Sequence, residues 1–147
     1  VMDTRDSPNV LGATSVDCDI LFLEGMYANR THPSRVKEEE CFARRVQSIV
    51  NRGGTALITA FASGRGQDVL RILHREAPNL EAHYDGMGTR VTLDWMEHPE
   101  FIHDPTELRK TWRWCRRVSS KSDRKKALDS DVKVTPSGML EGGPVIW

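Results

Sequence analysis

The chain has two short apolar runs, Ile20–Leu23, which is continuous, and Ala56–Ala60, which includes Thr59. The first predicts a strand buried on both faces, and the second a buried strand. Leu80–Tyr84 is a shorter strand candidate, and Val132–Pro136 predicts a last one. Between them the apolar period changes to three and four. Val36, Phe42, Ala43, Val46, Ile49 and Val50 fall on one face of a helix that Ser34 can cap and that runs to about Arg52. Glu38, Glu39 and Glu40 lie near its positive end, and Gly53-Gly54 stops it. Val69, Leu70 and Leu73 predict a second helix, closed by Pro78. The turn Asp85–Gly88 leads into a third that reaches Glu97. Pro105 opens a fourth, with Leu108, Trp112 and Cys115 on one face. Ser122–Leu128 predicts a short fifth.

Strands alternating with helices predict an α/β, Rossmann-like fold: a mostly parallel sheet, right-handed crossovers and helices on both faces. Ligands of such sheets gather outside the C-terminal ends of the strands. Glu24, Phe61–Gly66, Asp85–Gly88 and Ser137–Gly143 each follow a predicted strand, so their loops are expected to open on one edge. Residues 1–16 show no sustained period and carry Pro8 and Gly12. They read as a connecting segment ahead of one domain over 17–147.

A chain of 147 residues suffices for one domain with a sizeable core. Lys plus Arg equals Asp plus Glu, at 21 each, so no overall field draws the chain to nucleic acid. The charge is unevenly placed, however. Arg109–Lys126 holds nine basic residues against the single acid Asp123. Trp112 and Trp114 interrupt it. Basic residues with aromatics can track and stack single-stranded RNA, although Trp112 shares a face with Leu108 and Cys115 and reads equally as core. No apolar run approaches a membrane span, so no membrane partner is expected. Three cysteines without paired spacing argue for a reducing, cytoplasmic setting, with Cys18, Cys41 and Cys115 as small core residues. His32, His74, His83, His98 and His103 include no cluster at metal-ligand spacing, so no metal is expected on this chain.

The candidate chemistry concentrates at 53–73. A strand that turns through Ala62-Ser63-Gly64 straight into a helix exposes the free N–H groups of that helix, and Arg65 is planted in the same turn. The arrangement suits an anion, and a forked contact from guanidinium to a phosphodiester is the natural form. A surface pair with Asp68 is the alternative for Arg65. Gly64-x-Gly66 invites a nucleotide-binding reading, but Val69 stands where that fingerprint needs its third glycine. Ser137-Gly138 and Gly142-Gly143 can bring backbone N–H groups close to phosphate.

Three stretches, in order, carry a family resemblance. Residues 53–67 read Gly-Gly-Thr-Ala-Leu-Ile-Thr-Ala-Phe-Ala-Ser-Gly-Arg-Gly-Gln, Asp19–Arg30 reads Asp-Ile-Leu-Phe-Leu-Glu-Gly-Met-Tyr-Ala-Asn-Arg, and Thr135–Pro144 reads Thr-Pro-Ser-Gly-Met-Leu-Glu-Gly-Gly-Pro. Together they resemble the β-CASP domain of metallo-β-lactamase-fold ribonucleases, the group of RNase J and the cleavage-and-polyadenylation nucleases with their archaeal relatives. Gly25-Met26, Ala28-Asn29, Thr59 and Pro136 depart from the usual wording.

The resemblance implies a lid domain that faces a metallo-β-lactamase domain of the same parent chain, with single-stranded RNA threaded between them. It implies two zinc ions, held by the parent and not by this piece, and hydrolysis of phosphodiester bonds in RNA processing or decay. Glu24 corresponds to the motif A acid and takes an orienting catalytic role. Arg30, Arg65, Ser137 and Gly138 become RNA phosphate contacts, with Tyr27 and Gln67 in support. The chain then reads as an excised lid, inactive by itself; self-association is left open. A non-catalytic RNA-binding or scaffold subunit of the same fold, and a nucleotide-binding α/β module, are the alternatives.

Overall fold

The computed structural model describes residues 17–22, 29, 31–139 and 141–146. Helix α1 spans Arg35–Asn51, and strand β1 spans Ala56–Thr59. Helix α2 (Arg65–Glu76) and strand β2 (Ala82–Tyr84) follow. Then come α3 (Met87–Glu97), a 3₁₀ turn at Pro99–Phe101 and α4 (Pro105–Trp114). Strand β3 is only Arg116–Arg117; α5 is Lys121–Ala127 and β4 is Val132–Thr135. A second 3₁₀ turn spans Pro144–Ile146.

The four strands form one parallel sheet in the order β1-β4-β2-β3. The α/β class and the parallel sheet are therefore as the sequence predicts. The register places Ala56, Val132 and Ala82 in one row and Ile58, Val134 and Tyr84 in the next. This face packs on α1, α2 and α4 and holds the core, with Val46, Leu70, Leu73 and Cys115 from the helix side. The other face carries Leu57, Lys133 and His83. The short α5 lies over it through Arg124, Ala127 and Leu128.

Hydrogen bonds and burial explain most of the local choices. Gly53, at φ +77°, takes the left-handed turn that ends α1. Ser34 holds the N-cap position but makes no side-chain cap bond. At α5 the cap is complete: Ser120 accepts from the Asp123 N–H, and the Asp123 carboxylate accepts from the Ser119 and Ser120 N–H groups. That pair moves the helix start to Lys121, ahead of the expected Ser122.

Several expectations need correction. Residues 20–22 form no strand; Ile20, Leu21 and Phe22 are 75%, 63% and 93% exposed. An apolar run supplies side chains for burial but no partner, and these residues pair with no strand among the described ones. Leu23 lies outside the described residues. The strand expected at Ala56–Ala60 is β1, but among the described residues it is an edge strand and leaves Leu57 half exposed, so it is only partly buried. Val36 points to solvent as well. Of the three cysteines only Cys115 is buried; Cys41 is half-buried and Cys18 exposed. Strand β3 was hidden in the basic stretch, since two arginines carry no strand pattern.

Candidate functional site

Because the sheet is parallel, the loops after β1, β2 and β4 open on the same edge. The first of these is tied down by one buried side chain. Gln67 is 1% exposed, and its Oε1 accepts from the Gly64 N–H at 2.9 Å. Its Nε2 donates to the Ala62 carbonyl at 3.0 Å and to Thr92 Oγ1 on α3 at 2.8 Å. Gly64 takes φ +87°, a conformation open to glycine at little cost. The Gly66 N–H donates to the Phe61 carbonyl. The Gly64 and Gly66 N–H groups are thus taken within the turn, which narrows the expected free donors at this helix start to the N–H groups of its other residues.

What the turn does present is Arg65. Its side chain is 65% exposed at the first position of α2, and its guanidinium stands 3.7 Å from Asp68 Oδ2. Asp68 is buried and also pairs with Arg35 at 3.3 Å. Behind it, Glu39 on α1 accepts from Arg35 and, at 2.6 Å, from Arg75. Burial pushes the Glu39 carboxyl up, but the hydrogen bonds from Arg75 and Arg35 outweigh it and hold the group below the usual carboxylate range. Arg65 is therefore the exposed end of a charge network that joins α1 to α2.

The spacing Gly64-x-Gly66 has a packing cause. Tyr84, at the end of β2, is 1% exposed and lies beneath the starts of both α2 and α3. A Cβ on Gly66 or on Gly88 would collide with its Oη. Glycine is required at both positions to let the helices approach this ring. Burial pushes the Tyr84 phenol up to about 12, so it stays neutral. Nothing in the sequence marked Tyr84, since its reach to two helices is purely tertiary.

The loop after β4 folds back over the same edge. Ser137 adopts φ +75°, which costs an L-residue about 1 kcal/mol. A Cβ on Gly143 would sit 2.7 Å from Ser137 Oγ, and one on Gly138 would sit 3.2 Å from Thr59 Oγ1. The loop thereby rests on the end of β1. Ser137 and Gly138 are exposed, and their N–H groups have no partner among the described residues. Phe61, Met87 and Met139 stand out from the three loops, 83%, 69% and 80% exposed.

The structure brings Arg65, Gln67, Ser137 and Gly138 to one edge, on the ends of the neighbouring strands β1 and β4. Glu24, Tyr27 and Arg30 lie outside the described residues. Among the described residues no group of three His, Cys, Asp or Glu side chains could hold a metal ion, and no helix is long and apolar enough to cross a membrane. The basic stretch is divided among α4, β3 and α5. Its tryptophans are engaged: Trp112 packs on the core, and Trp114 donates to the Pro78 carbonyl at 3.0 Å and stacks on His74. They are walls of the fold first, and free stacking platforms are not what this stretch offers.

No protein-family model matches the chain. Among curated proteins it is similar to Probable RNase MJ4 of Methanocaldococcus jannaschii, 33% identical over 151 residues that cover 99% of this chain and 35% of that protein. RNase aCSPSF2 of Saccharolobus solfataricus is 33% identical over 132 residues, covering 89% of this chain and 27% of that protein. Endoribonuclease YSH1 of Gibberella zeae is 40% identical over 58 residues, 40% of this chain and 7% of that protein. The chain spans about a third of the length of the first relative and about a quarter of the second.

Proposed function

We propose, from its similarity to RNase MJ4 and RNase aCSPSF2, that this chain is a β-CASP domain of the metallo-β-lactamase-fold ribonucleases and the RNA-binding lid of a ribonuclease acting in RNA processing or decay. The observation that carries the proposal is the convergence of Arg65 with the open Ser137–Gly138 loop on the strand C-terminal edge. A guanidinium fork and two unpartnered N–H groups are the right donors for consecutive phosphates. Gln67 braces the backbone that carries Arg65, so little backbone ordering is needed when RNA arrives.

In this reading residues 1–16 connect to a preceding metallo-β-lactamase half and 17–147 form the lid. The metal that activates water in such enzymes, zinc in the resemblance, would be held by the rest of the parent. Glu24 would orient that apparatus as a carboxylate does a histidine. Arg30 and Tyr27 would flank the RNA path. The cytoplasmic setting and the inactivity of the isolated piece are part of the same proposal. A nucleotide-binding module is disfavoured, because Gly64 and Gly66 are explained by the turn and by Tyr84 without a ligand.

Titration of a short labelled single-stranded RNA with the 147-residue chain tests this. Arg65→Ala removes one phosphate contact and only a weak surface pair. It is expected to weaken binding of all sequences alike and to lower the salt slope by about one unit. An unchanged slope, or an effect confined to one base, would count against the assignment.

A further inference from the structure

A second charged feature lies at the far end of the sheet. The segment Arg109–Lys126 carries nine basic residues and one acid; the other residues carry 12 basic against 20 acidic. A neutral chain is thus divided into a segment of net +8 and a remainder of net −8. The fold then concentrates the positive part. A groove along β3, between the end of α4 and the start of α5, is lined by Arg113, Arg116, Arg117 and Lys126, with Trp114 and His83 in its walls.

The local pairing shows which charges remain available. Arg116 reaches Glu81 at 2.8 Å, and Arg117 lies over the Trp112 ring at 5.1 Å. Both contacts orient the guanidinium groups, and neither side chain is buried. Arg113 and Lys126 have no ion-pair partner among the described residues. The one acid of the groove, Asp123, is committed to the α5 cap, accepting from the Ser119 and Ser120 hydroxyls and N–H groups. A second unspent group is the His83 imidazole, 4% exposed, whose Nδ1 has no hydrogen-bond partner.

From these observations we infer that the β3 groove is a second RNA-backbone contact, separate from the strand C-terminal edge. The inference rests on the reading of this chain as an RNA-binding lid. Three guanidinium groups and an ammonium along one groove match a run of phosphates by charge and by fork geometry. A protein strand is the poorer occupant, since β3 offers a two-residue edge guarded by two arginines. Strand β3 lies three strand spacings from β1, roughly 14 Å across the sheet at ordinary strand spacing. The groove would hold RNA that has passed the lid edge or has yet to reach it, and it would be blind to sequence.

The test is anisotropy titration of the 147-residue chain with a short labelled oligouridylate, over a range of salt. Arg113 and Lys126 are exposed, so the double variant Arg113→Glu/Lys126→Glu is expected to keep the wild-type melting temperature. It should bind RNA about tenfold more weakly or worse and lose about two units of salt slope. Arg65→Ala provides the independent arm. If the double variant binds as wild type while Arg65→Ala does not, the groove is overturned and the lid edge stands. If the wild-type chain binds no oligouridylate at low salt, both readings fall. If polyglutamate of matched charge displaces the RNA from wild type as well as unlabelled oligouridylate does, the groove is a site for acidic peptide and the inference is overturned.

Discussion

Lys133 and Val134 are neighbours on β4 and serve opposite faces of the sheet. Val134 is 1% exposed in a row with Ile58 and Tyr84, packed beneath α1, α2 and α4. Lys133 is half-buried in a row with Leu57 and His83, and its ammonium donates to the Leu128 carbonyl at the end of α5. One face is apolar across β1, β4 and β2, with Arg117 only at its β3 edge, and lies under three helices. The other mixes Leu, Lys, His and Thr beneath a seven-residue helix. The difference teaches where stability and charge can be placed in one small domain. Burial of apolar area scales the stabilisation, so the packed face specifies the fold. The thin face has less to lose and can host ionisable groups and the basic groove beside it.

The comparison breaks most severely at Tyr84. Tyr84→Ala empties the space beneath two helix starts and is expected to cost about 3–5 kcal/mol by thermal or denaturant unfolding. Gly88→Ala should cost about 2 kcal/mol, although alanine favours a helix by about 1 kcal/mol, because its methyl meets Tyr84 Oη. Since the methyl would also meet the ring carbons Cζ and Cε2, it is Tyr84→Ala, which removes the ring, that should recover part of the Gly88→Ala loss in the double variant. Simple additivity of the two substitutions would show that Tyr84 is not what demands glycine. By contrast Lys133→Ala, one residue from Val134, should stay within about 0.5 kcal/mol.

A smaller effect separates the two sides by pH. Glu39 bridges Arg35 and Arg75 on the packed side, and its carboxyl is held below the unfolded value of 4.5. A depressed carboxylate adds stability above the unfolded value and loses it as pH falls through the folded one. The melting temperature of the wild type should therefore drop on acidification below about pH 4.5, and Glu39→Gln should flatten that part of the profile. An unaltered acid limb in Glu39→Gln would remove the bridge from the account.

Much of this organisation was legible beforehand. The apolar faces of α1, α2 and α4 follow a period that any aqueous fold must bury, and the alternation of strands with helices dictates a parallel sheet. Hence Arg65 and Ser137 could be placed on one edge from sequence alone. Strand order could not, because β4 enters between β1 and β2 through pairing that no local pattern encodes. Nor could the cause of Gly66 and Gly88, which is a tyrosine 18 residues after the first and only four before the second. Gln67 was singled out by resemblance; its reason, a bond to Thr92 across to α3, is tertiary. Ile20–Phe22 misled because apolarity was read as burial. Arg116-Arg117 was missed because an edge strand guarded by charge looks like a solvated loop.

The least of the expected effects belongs to the thin face, and it runs in a different pH window. His83 is 4% exposed, between Lys133 and Arg116 in its row. Burial lowers its pKa from 6.5; Arg116 and Lys133 add to that, while Glu81 and Asp123 oppose it. The folded state therefore prefers the neutral ring. The unfolded chain takes up its proton near pH 6.5, before the folded chain does. Stability from this group is complete above 6.5 and is lost as pH falls from 6.5 to the lower folded value. Wild type should show a shallow decline in melting temperature that begins near pH 6.5, before the onset of the Glu39 limb. His83→Gln keeps a polar side chain without titration and should remove the decline while leaving the acid limb intact. If both proteins decline alike between neutrality and the acid limb, His83 is not the titrating group, and the thin face carries charge only at its rim.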